Sequence, residues 1–74
     1  MIQDKEVARR VVAIALEASD KLNQSIAHVK EHCSQDEEAA YRFAAATAMA
    51  GILFEILNPI YQQHKDLAPQ GFFD

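Results

Sequence analysis

A chain of 74 residues with one cysteine and a net charge of −4 makes one small domain with no internal disulfide. It also lacks the clustered Lys and Arg that a nucleic-acid partner demands. Half of its residues are hydrophobic, which excludes a disordered tail, and a core of this size rarely supplies more than about 3–5 kcal/mol, so self-association is expected. A lone thiol, Cys33, suits a reducing cytoplasm.

Met1 to Gln3 is a short lead-in. Arg9 and Arg10 precede only Val11 to Leu16 before Glu17 interrupts, which is too short and badly flanked for a signal peptide. Asp4 has the character of an N-cap, with Glu6 in the first turn behind it. From there Val7, Val11, Ile14, Ala18, Leu22, Ile26, Val29 and Cys33 recur by threes and fours, the spacing of one helix face, and Ala8, Val12, Ala15 and Leu16 widen that stripe in the first half only. The rows Val7–Ala18–Val29 and Val11–Leu22–Cys33 repeat every eleven residues, which predicts a straight helix over 4–33. Glu6 with Arg10 and Glu17 with Lys21 are i,i+4 pairs of favourable orientation on its wet side. Charges between Asp4 and Glu31 balance.

Ser34-Gln35-Asp36-Glu37 is a capping-box pattern and marks a new helix start, so 33–35 reads as a tight turn. The net acidity sits mostly in Asp36, Glu37 and Glu38, where three acids complement the dipole of a first turn. The helix that follows, over 36–57, organises the chain. Between Ala39 and Phe54 its only strongly polar side chain is Arg42, and a helix that is apolar nearly all round must be covered on most sides. Arg42 and Glu55 bound a run well short of the ~20 apolar residues a bilayer span needs, so no membrane partner is expected.

Pro59 removes a backbone hydrogen bond and clashes with the carbonyl of Glu55, which predicts a kink there or a new helix over 59–67 with Asn58 as its N-cap. The segment 68–74 is a tail, with Phe72 and Phe73 expected on the open end near Val7 and Val11. The first helix is about 45 Å long at 1.5 Å per residue, and the second arm matches it. The expected fold is therefore all-α: a long antiparallel two-helix hairpin. A turn centred on Ser34 and Gln35 makes facing residue numbers sum to about 69, pairing Ile26 with Phe43, Ala18 with Gly51 and Ile14 with Phe54 and Leu57. One hairpin leaves Ala46, Ala50, Ile52, Leu53, Phe54, Leu57 and Ile60 without full cover. Two hairpins in a homodimeric four-helix bundle would cover them, and these seven residues are the expected interface.

No motif in the chain specifies a reaction. His28-Val29-Lys30-Glu31-His32 has the H-x-x-E-H form of a zinc peptidase, with two histidines one turn apart, but it lacks a third ligand and the large fold that holds a substrate cleft. A simpler metal site on His28, His32 and Glu31 stands as the alternative. Glu17 and Asp20 form one i,i+3 carboxylate pair of the kind that holds Mg²⁺, yet no second pair follows Glu37, Glu38 or Glu55. Cys33 ends an apolar row and reads as a small core residue rather than a nucleophile. The expected function is that of a small cytoplasmic, non-enzymatic helical interaction protein (a regulator, adaptor or inhibitor) acting as a homodimer without a cofactor. Its expected partners are a second copy of itself and another protein. A metal- or ligand-binding bundle or metal-dependent hydrolase built on Glu17, Asp20, His28 and His32 is the alternative.

Overall fold

The computed structural model describes residues 1–73; Asp74, the end of the expected tail, lies outside the described residues. Asp4 caps the first helix, α1 (Lys5–His32), its carboxylate accepting from the backbone N–H groups of Glu6 and Val7. Cys33 terminates α1 in an extended conformation. Ser34 then starts α2 (Gln35–Gly51) through a complete capping box: the Glu37 N–H donates to Ser34 Oγ at 3.1 Å, and the Ser34 N–H donates to Glu37 Oε1 at 3.0 Å. These two donors would otherwise be orphaned at a helix start. The result is an antiparallel helical hairpin with no strand among the described residues.

The helical run of the second arm continues through Pro59, but not as a plain α-helix. The backbone ladder widens into a π segment, Ile52–Leu57, in which the Asn58 N–H reaches back five residues to the Leu53 carbonyl. Helix α3 (Asn58–Gln63) follows directly with Pro59 in its first turn. Widening the ladder moves the Glu55 carbonyl out of the way of the proline ring, and Pro59 needs no N–H where it sits. Asn58 therefore caps nothing. His64 breaks the helix, and a single 3-10 turn, Lys65–Leu67, ends the arm.

On α2 and in the first half of α1 the helices meet on faces other than the main apolar rows suggested, whereas from Leu22 to Val29 the inward row of α1 is the expected one. On α1 the row turned to α2 is Ala8, Val12, Ala15, Ser19, Leu22, Ile26 and Val29, buried or half-buried throughout. Its steps of four and three make a seven-residue repeat, not an eleven-residue one. Val7 and Ile14 are 50% and 59% exposed, and Cys33 is exposed as well. On the second arm the inward row is Glu38, Tyr41, Ala45, Met49 and Ile52, continued past the π segment by Leu57, Ile60 and Tyr61. The reason is size. Alanines at 8, 15 and 45 let the backbones approach, so the small row lies at the centre and the bulkier Val7–Ile14 row is left at the side.

This overturns the face of the expected pairs rather than their level along the arms, since Ala8 and Tyr61, and Val12 and Leu57, share one core and have numbers that sum to 69. Phe43, assigned to Ile26, points into solvent at 76% exposure, and the observed cross-helix link joins Ser25 to Tyr41. The core itself gathers at the open end, where Ala8, Val12, Ala15, Leu57, Ile60 and Tyr61 pack together with Ile2, Val11 and Leu67 against them. Phe72 stacks edge-on against the Tyr61 ring at 5.1 Å, and Phe73 against Phe72 at 5.0 Å. The tail thus closes over Tyr61. Glu6 pairs with Arg9 at 3.5 Å rather than with Arg10, whereas Glu17 and Lys21 pair at 3.1 Å as their spacing implies.

Candidate functional site

The most distinctive surface is the back of α2, the side turned away from α1. Ala39, Phe43, Ala46, Ala50 and Phe54 recur at helical spacing and are all exposed. Phe54 is 63% exposed and Leu53 is also open to solvent. The π segment matters here. Phe54 follows Phe43 by eleven residues, three full turns, and so shares its face, while the slower turn per residue of the π segment beyond it brings Leu57 and Ile60 inward. Of the seven residues expected at an interface, Ala46, Ala50, Leu53 and Phe54 lie on this outer surface. Ile52 is half-buried, and Leu57 and Ile60, at 4% and 0% exposure, belong to the hairpin's own core.

The expected chemistry-bearing residues do not converge. His28 and His32 stand one turn apart on exposed α1 with ring centroids 4.7 Å apart, and His32 Nε2 lies 4.0 Å from the Glu31 carboxylate. Among the described residues no three His, Cys, Asp or Glu side chains form a group able to hold a metal. Glu17 is engaged by Lys21, and Asp20 accepts from the Gln24 amide at 2.9 Å. Each carboxylate serves its own helix.

Two polar features went unforeseen. Ser25 Oγ lies 2.6 Å from the Leu22 carbonyl and 2.5 Å from Tyr41 Oη. The carbonyl can only accept, so Ser25 spends its hydrogen there and the Tyr41 hydroxyl donates across the helix pair. A serine within α1 and a lone tyrosine in an apolar run were the available signals. At the open end His64 Nε2 sits 2.7 Å from the Ile2 carbonyl, which requires the proton on Nε2. Lys5 pairs with Asp66 beside it and holds the Asp66 carboxyl below the usual carboxylate range. Burial raises the Tyr61 phenol above its ordinary value.

A hollow of about 300 Å³ lies beside the turn, lined by Lys30, Cys33, Ser34, Gln35, Glu38 and Arg42. Its charges answer one another: Arg42 bridges to Glu38 at 3.1 Å, and the Glu38 side chain is largely covered. The continuous rod Gln35–Gln63, at 29 residues, is long and apolar enough to cross a bilayer by length and composition alone. Only 17% of its most apolar stretch is buried within the hairpin, and the uncharged run between Arg42 and Glu55 spans about 18 Å.

Comparison of the chain with protein-family models, curated proteins and solved structures gave no match.

Proposed function

We propose that the chain is a small non-enzymatic helical interaction module, a regulator, adaptor or inhibitor, that works in a reducing cytoplasm as a homodimer of hairpins forming a four-helix bundle. The observation that carries this reading is the uncovered back of α2, where two phenylalanines and a run of alanines face water. Contiguous exposed apolar patches on small domains mark interaction surfaces. The dispersal of His28, His32, Glu17 and Asp20 along one exposed helix supports it further, because catalysis and metal binding need groups that converge.

Native mass spectrometry of the untreated protein at micromolar concentration tests the reading. The expected species has twice the 8.3 kDa mass of one chain. A monomer at every concentration would overturn the proposal. Added equimolar zinc should leave the melting temperature unchanged; a clear rise would instead assign the chain to the metal-binding alternative built on His28, Glu31 and His32.

A further inference from the structure

Gly51 is the least expected residue of the apolar helix. It has ordinary right-handed helical angles, and a glycine there costs about 1 kcal/mol relative to alanine. Packing within the chain does not account for it, since a Cβ built at Gly51 would meet no atom within 4 Å. Space kept free at such a cost calls for an occupant from outside the hairpin. A globular monomer of 8.3 kDa exposes about 4,600 Å² by the usual size scaling, whereas this chain exposes 5435 Å². The surplus of roughly 850 Å² is spread over both arms of a slender hairpin, and the exposed back of α2 supplies part of it.

The sequence of the uncovered face identifies the occupant. An interface about a two-fold axis must be complementary to itself. If two copies of α2 lie antiparallel with facing numbers summing to about 93, Phe43 meets the partner's Ala50 and Phe54 meets the partner's Ala39. Large side chains then enter the gaps over small ones on both sides of the axis. Near the axis Ala46 and Thr47 meet the partner's Ala46 and the partner's Thr47, while Gly51 comes level with the partner's position 42, between the partner's Ala40 and the partner's Ala44. The Ala40, Ala44, Thr47 and Gly51 flank permits close approach. Between Ala39 and Phe54 no charge opposes the contact, since Arg42, the only charged side chain there, is already held by Glu38. At the two ends the same register brings Glu55 level with the partner's Glu38, a like-charge approach that the apolar seam between them must outweigh. A bilayer is a poorer occupant, because the net charge of −4 and the acids at 36–38 are repelled by anionic headgroups.

We infer that the back of α2 binds the same surface of a second copy, antiparallel, on a two-fold axis beside Ala46 and Thr47, with Gly51 as the point of close approach. This rests on the self-association proposed above and adds the face, the direction and the register.

The test uses the full chain with three changes. Gly51→Leu enters open space within one hairpin, so helical circular dichroism should be retained while dimerisation weakens by about tenfold or more from overpacking the seam. In a Cys33→Ser background, Ala46→Cys should form a disulfide dimer under mild oxidation, and Ala13→Cys, exposed on α1, should not. A dimer that tolerates Gly51→Leu and leaves Ala46→Cys unlinked would overturn the seam while sparing the dimeric reading. A protein that is monomeric at every concentration would overturn both, and its flotation with phosphatidylcholine vesicles would give the face to a lipid surface.

Discussion

The two ends of the hairpin are held by different means. At the turn end two helices face each other alone; Leu22, Ile26, Val29 and Tyr41 reach only half-burial, and Ala45 is the nearest fully buried residue. At the open end a third layer is present. The lead-in at Ile2, α3 and the turn after it wrap the helix pair and close a core around Ile60, with no measurable exposure. Two amphipathic helices have a contact line rather than an interior. A segment crossing that line is what shuts water out. The chain is correspondingly slender, with extents of 44 × 23 × 20 Å and a radius of gyration of 14.8 Å, against about 11 Å for a compact domain of this length.

The strongest way to break this comparison is to truncate one residue at each end. Ile60→Ala should cost about 2–5 kcal/mol, the range for a fully buried branched residue whose cavity cannot collapse. Ile26→Ala, half in water already, should cost less than half as much. Chemical denaturation of both variants at one fixed protein concentration checks the ratio. Equal losses would mean that the turn end is as closed as the open end. Within the turn end, Ser34→Ala should remove about 1 kcal/mol by orphaning the Glu37 N–H. Tyr41→Phe should cost about 0.5–1.5 kcal/mol, the usual net worth of one hydrogen bond. Because the Tyr41 hydroxyl is the donor, Ser25→Ala in the Tyr41→Phe background should add little, and a double-mutant cycle measures that coupling.

Local rules foretold where the two long helices start, but not the bounds of the second arm, where α3 ends at Gln63 rather than near Leu67. Asp4, Ser34 and Glu37 act through short-range hydrogen bonds that depend on nothing distant, so the two starts and the turn between them were legible from single residues. Pro59 was legible as a disturbance but not in its outcome, since a kink, a new helix and a widened turn all relieve the same clash. The choice of face was the least legible. Ranking by apolar bulk made Val7, Val11 and Ile14 the main row and Ala8, Val12 and Ala15 only its widening, whereas packing rewards closeness as well as bulk and centres the small residues. On α2 the same preference for bulk turned Phe43 inward. It left the outer surface of α2 half-recognised: Ala46, Ala50, Leu53 and Phe54 were found from the surplus of apolar area, while Leu57 and Ile60 required knowledge of how the π segment rotates the arm.

The smallest expected effect separates the ends by acidity. Glu37 at the turn has its carboxyl held below the usual range, chiefly by the Ser34 N–H and then by the Ser34 hydroxyl. Asp66 at the open end is lowered chiefly by Lys5. Both folded values lie below the unfolded ones, so both groups contribute stability in full above the ordinary carboxylate range, and both contributions fade as pH falls through the lowered values. The denaturation midpoint should therefore decline with acid, modestly because both carboxylates are exposed. Glu37→Gln and Asp66→Asn should each flatten part of that decline. Salt tells them apart. At about 1 M ionic strength the Debye length shrinks to ~3 Å, so the share due to Asp66, part of which is charge attraction to Lys5 and Arg9, should diminish. The share due to Glu37, set by hydrogen bonds to Ser34, should persist. A midpoint that rises toward acid, or a salt response confined to Glu37→Gln, would reverse the assignment of charge attraction to the open end and backbone hydrogen bonding to the turn.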